Sequence, residues 1–60
     1  MATFTISFVG GNRDDEEVTA DSYTDKAPFV DFRAYSKAAG ADVTVARYRA
    51  EEIRRIIRRD

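Results

Sequence analysis

Large apolar and small polar residues alternate from the third residue of this chain. Phe4, Ile6 and Phe8 fall on one side of an extended backbone, and Thr3, Thr5 and Ser7 on the other. β-Branched and aromatic residues at period two predict a strand over residues 3–9, with the three large side chains in a core. Gly10-Gly11-Asn12 ends it, because glycine reaches positive φ without a Cβ clash. Asp14-Asp15-Glu16-Glu17 then forms an acidic hairpin tip. A second strand is predicted over 17–23, with Val18 and Ala20 inward, and a loop over 24–28. Pro28 has no amide hydrogen for a ladder, so the third strand begins at Phe29. It runs to Tyr35, with Val30, Phe32 and Ala34 on one face and Phe29, Asp31, Arg33 and Tyr35 on the other. Residues 36–41 turn the chain. The fourth strand, 42–49, divides its apolar residues: Val43 and Val45 lie on one face, Ala46 and Tyr48 on the other. Apolar residues on both faces imply a closed barrel or a covered sheet.

The last eleven residues admit two readings. Ala50, Ile53, Ile56 and Ile57 form an amphipathic helical stripe, and Ala, Glu and Arg favour helix. Such a short helix depends on tertiary packing. The competing reading is a 3-10 turn over 50–53 followed by a strand over 55–58. That strand pairs back with the first, and Ile53 and Ile56 enter the core. Four meander strands, one turn and a short basic strand resemble the SH3-like small barrels, a group that includes the Sm-type folds. The stretch VARYRAEEIRRI over residues 45–56 also resembles the ending of short uncharacterised proteins of actinobacteria and their phages. The expected fold is therefore all-β, a five-stranded SH3-like barrel with a 3-10 turn before its last strand. The alternative is α+β, a four-stranded antiparallel meander closed by a C-terminal helix. The resemblance implies fold only, because sites are grafted on folds.

Sixty residues make one small domain, spanning 1–60. A chain of this size buries only about 60% of the surface its unfolded form exposes. No cysteine is present to staple it, and no apolar run approaches the ~20 residues that cross a bilayer. The N-terminus has no signal-peptide pattern, so a cytoplasmic setting is expected, with no membrane partner. Net charge is −1, but residues 1–44 carry four basic against eight acidic groups, and residues 45–60 carry six against three.

No catalytic, metal or cofactor set emerges from this composition. Histidine is absent, so Ser7, Ser22 and Ser36 lack an imidazole base. The acidic run lacks the spacing of a calcium loop, and Gly10-Gly11 precedes acids rather than the Lys and Ser/Thr of a phosphate cradle. The candidate chemistry is the arginine cluster Arg47, Arg49, Arg54, Arg55, Arg58 and Arg59, diluted by Glu51, Glu52 and Asp60, with Tyr35 and Tyr48 nearby. Arginine favours bidentate contact with carboxylate or phosphate. Basic tracks with stacking aromatics bind single strands, but nucleic-acid binders are typically strongly basic, and this chain has a pI near 5.3. The expectation is a non-enzymatic protein-interaction module that binds a protein partner or itself as a homodimer. Outward Val9, Tyr35, Val43 and Ile57 would supply its apolar surface. The alternative is a nucleic-acid-binding small barrel using the arginine patch.

Overall fold

The computed structural model describes residues 1–59. Six strands form: β1 (Ala2–Phe8), β2 (Glu16–Ala20), β3 (Ser22–Lys26), β4 (Phe29–Ser36), β5 (Ala41–Arg49) and β6 (Ile53–Arg59), with a 3-10 turn, Ala50–Glu52, between the last two. They make two three-stranded sheets, ordered β2-β1-β6 and β3-β4-β5. The fold is all-β, as the alternation predicts. The C-terminal helix does not form. β6 is antiparallel to β1, with Ile6 opposite Ile56 and Thr3 opposite Arg59.

Two features differ from the five-stranded barrel: there are six strands, and the two sheets do not close into one. The expected second strand bends at Asp21, and β3 continues to Lys26 where a loop was expected. Asp21 sits at the corner. Its amide donates to the Arg33 carbonyl at 2.8 Å, and its carboxylate accepts the Tyr35 amide at 2.8 Å. The chain thus leaves one sheet at Ala20 and enters the other at Ser22 through an exposed bend whose Asp21 amide and carboxylate are both bonded to β4.

The core lies between the sheets. Ala2, Phe4, Ile6, Phe8, Ala20, Val30 and Phe32 form one buried cluster, with Val18, Ala46, Tyr48, Ala50, Ile53 and Ile56 packed against it. Phe32 is fully buried. The Phe4, Tyr23 and Tyr48 rings surround it, with centroids 5.4, 5.5 and 5.9 Å away. Thr5 and Ser7 are also buried, although they face away from this cluster. β1 is the central strand of its sheet, so the flanking strands shield its outer face.

Two bulges resolve the ambiguous patterns. Phe32 pairs with Ala46 and Arg33 with Thr44, leaving Val45 without a partner. The extra residue resets the alternation. Val43, Ala46 and Tyr48 therefore share the inner face, opposite Ala34, Phe32 and Val30. Val43, expected outward, is half-buried instead, while Val45 is exposed. In β6, Ser7 pairs with Arg55 and Phe8 with Ile53, so Arg54 is the extra residue. A spacing of three that reads as helical thereby turns both Ile53 and Ile56 inward. Ile57 lies opposite Thr5 on the outer face and is 38% exposed.

Candidate functional site

The six arginines do not form one patch. Arg47 and Arg49 lie on β5, outside the β3-β4-β5 sheet, and both are engaged. The Arg47 guanidinium grips Asp31 at two points, Nε to Oδ1 at 2.6 Å and Nη2 to Oδ2 at 3.2 Å. It also stands 5.1 Å from the Phe29 ring centroid, within cation–π range. This hydrogen bonding holds the Asp31 carboxyl below its ordinary range and raises the Arg47 guanidinium. Arg49 lies 3.8 Å from Glu51. Tyr35 is exposed on β4, on the same outer face.

Tyr48 leaves the candidate surface altogether. The bulge at Val45 turns it inward, where its ring meets Phe8 and its hydroxyl donates to Glu16 at 2.9 Å. Arg13 completes this group. It donates to the other Glu16 oxygen at 3.1 Å, approaches Glu52 at 3.7 Å and stands 3.8 Å over the Phe8 ring. Burial, then the bond to Glu16, pushes the Tyr48 hydroxyl above its ordinary value. The Tyr48 hydroxyl, then Arg13, holds Glu16 below the ordinary carboxylate range. These groups tie the loop after β1 to β2, β5 and the 3-10 turn, and the Val9 amide adds a bond to the Glu52 carbonyl at 2.9 Å. The linkage is structural. Its sequence signal is slight: one basic residue, Arg13, beside an acidic run.

The remaining arginines line β6, an edge strand. Arg55 and Arg59 flank Ile57 on the outer face, Arg54 occupies the bulge, and Arg58 stands opposite Phe4 on the inner side. Among the described residues, Arg54, Arg55 and Arg59 make no side-chain hydrogen bond or ion pair. Asp60 lies outside the described residues. Between β6 and β3 are two open cavities. One, of about 250 Å³, is bounded by Tyr23, Asp25, Val30, Ile53 and Ile56; the other, of about 310 Å³, by Phe4, Asp21, Tyr23 and Arg58. The site is thus a basic edge beside clefts of mixed polar and apolar lining, with Asp25 on the facing strand and Asp21 at the bend before it.

The expected apolar surface is not continuous. Tyr35 and Ile57 lie on the outer faces of different sheets, Val9 follows β1, and Val43 faces inward. In the acidic run, Glu16 is turned to Arg13 and Tyr48 while Asp14 and Asp15 are exposed. No protein-family model, curated protein or solved structure matches this chain.

Proposed function

We propose that the protein is a small non-enzymatic protein-interaction module of the cytoplasm, which binds its partner along β6. The observation that carries this reading is the edge itself: an unpaired strand margin with three arginines lacking side-chain partners among the described residues. Exposed edges offer backbone groups that pair with another chain, and basic side chains steer the choice of partner. The chain order β6-β1-β2, a bend, then β3-β4-β5 suits an opened SH3-like arrangement. Homodimerisation through β6 against β6 is disfavoured, because it would oppose arginine to arginine.

The experiment is capture by the wild-type chain and by a variant with Arg54, Arg55, Arg58 and Arg59 all changed to serine. A protein retained by the first and lost by the second, with nuclease treatment making no difference, supports the module. Retention of nothing by either chain refutes it. The runner-up, nucleic-acid binding, draws on the same unpaired arginines. It predicts binding to single-stranded DNA or RNA that weakens steeply between low and moderate salt. No binding at low salt refutes it. Sedimentation over a concentration series tests self-association, and a monomer throughout excludes the homodimer.

A further inference from the structure

We infer that the ligand of β6 is an extended acidic segment of a partner protein, which adds as a fourth strand to the β2-β1-β6 sheet. This inference rests on the interaction-module reading and specifies its partner. The geometry comes from the strand period. Arg55, Ile57 and Arg59 share the outer face, so the two arginines stand about 13–14 Å apart with an apolar side chain midway. In an antiparallel neighbour, the residue opposite lies on the same face, within reach for a cross-strand pair. Read from its N-terminus, a complementary segment has acid opposite Arg59, apolar opposite Ile57 and acid opposite Arg55. The intervening residue opposite Ile56 faces the inner side, where Ile53, Ile56, Val30 and Tyr23 supply the apolar part of a cleft that Asp25, Arg54 and Arg55 also line, and an apolar side chain suits that part. The motif is therefore Glu-Thr-Val-Val-Glu.

The charges select this occupant over two others. A polyphosphate chain carries charge on both faces, so along β6 it would meet Asp25 of β3 and Asp21 of the preceding bend, which line the inner clefts, and it would leave Ile57 facing charge. A second copy pairing through its own β6 would bring like charges together. A segment with two carboxylates and apolar residues between them satisfies both arginines and covers Ile57.

The test uses a fluorescein-labelled peptide, Ser-Glu-Thr-Val-Val-Glu-Ser, with the full-length protein, read by fluorescence anisotropy. Four companions accompany it: two peptides N-methylated at alternate residues, one in each register, the peptide with both Glu changed to Lys, and a twelve-nucleotide oligothymidine. Binding is expected to weaken at least tenfold in the Arg55→Glu/Arg59→Glu variant, whose thermal transition verifies folding. It is also expected to fall with salt, and to be lost with the Lys peptide and with the N-methylated peptide whose blocked amides face β6. The proposal is overturned by absence of peptide binding at low salt, by indifference to N-methylation in either register, or by binding of oligothymidine alone. Sedimentation showing that the protein's own copies occupy the edge also overturns it. If this test fails while the capture experiment retains an arginine-dependent protein, the interaction module stands and the acidic-strand assignment falls. If both fail, the module itself is refuted.

Discussion

Phe29 and Phe32 lie on one strand, three residues apart and on opposite faces, so truncating each tests the assignment of inside and outside. Phe32 is 0% exposed and enclosed by three rings, whereas Phe29 is 37% exposed and lies under Arg47. Truncating a buried phenylalanine to alanine costs about 3–5 kcal/mol. Folded domains hold about 0.05–0.15 kcal/mol per residue, and one this size, with no disulfide, has roughly 3–5 kcal/mol in all. Phe32→Ala should therefore remove the cooperative urea transition at 25 °C. Phe29→Ala loses part of a half-covered ring and one exposed cation–π contact, about 1 kcal/mol together. At this size a loss of that order lowers Tm by roughly 4–8 °C and leaves the transition cooperative. Repeating both melts in sucrose, which favours burial, should bring a transition back for Phe32→Ala and so allow its cost to be measured. The reasoning is refuted if Phe32→Ala melts within about 1 kcal/mol of the parent, or if Phe29→Ala costs more than Phe32→Ala.

Acid should destabilise the fold partly through Glu16 and Asp31, whose carboxyls bind protons less tightly in the folded chain than in the unfolded one. The unfolded chain then takes up more protons as pH falls below about 5, and this stabilisation fades until the folded carboxyls protonate. Glu16→Gln together with Asp31→Asn should flatten the stability–pH slope between about pH 5 and 3 in urea titrations, and an unchanged slope counts against both assignments. Tyr48→Phe should cost about 1 kcal/mol by removing the bond to Glu16. Since the folded chain raises the Tyr48 pKa, the contribution of this hydroxyl is full below about pH 10 and lost above it; a melt of Tyr48→Phe showing the parent's alkaline decline in full would exclude that role. Deleting one of the adjacent Arg54 and Arg55 should be tolerated within about 1 kcal/mol, because Ile53, one arginine and Ile56 can then pair with Phe8, Ser7 and Ile6 without a bulge. Deleting Asp31 should abolish cooperative folding, since it moves either Val30 or Phe32 to the outer face; equal tolerance of both deletions would exclude the register.

The regular strands were legible because their period is unbroken. Phe4, Ile6 and Phe8, and Val30, Phe32 and Ala34, are inward as alternation requires. The features that alternation does not encode depend on partners far along the chain. The bend at Asp21 is held by Arg33 and Tyr35, twelve and fourteen residues later. Arg47 is neutralised by Asp31 across a strand pair, and Tyr48 is claimed by Glu16 from the other sheet. Of the eight candidate binding residues, Tyr48 faces inward because the bulge at Val45 shifts the parity of everything after it. That shift was written in the sequence only as an indecision between two faces.

The bulge at Arg54 links the fold to the proposed site. A bulge lets one strand carry an extra residue against its partner and strengthens the local twist. Here it places Ile53 opposite Phe8 and Ile56 opposite Ile6, both on the inner side. The residues left over are charged: Arg55 and Arg59 fall on the outer face and Arg54 on the bulge itself. β1 offers them only Ser7 and Thr3 as cross-strand neighbours, at Arg55 and Arg59 respectively. No carboxylate stands opposite on β1, so cross-strand pairing of the Asp31–Arg47 kind is not available within this sheet. Substituting serine for the outer arginines should therefore leave the melt nearly unchanged while removing partner binding. Substituting serine for Ile53 or Ile56 on the same strand should do the reverse, lowering Tm first and binding only as a consequence.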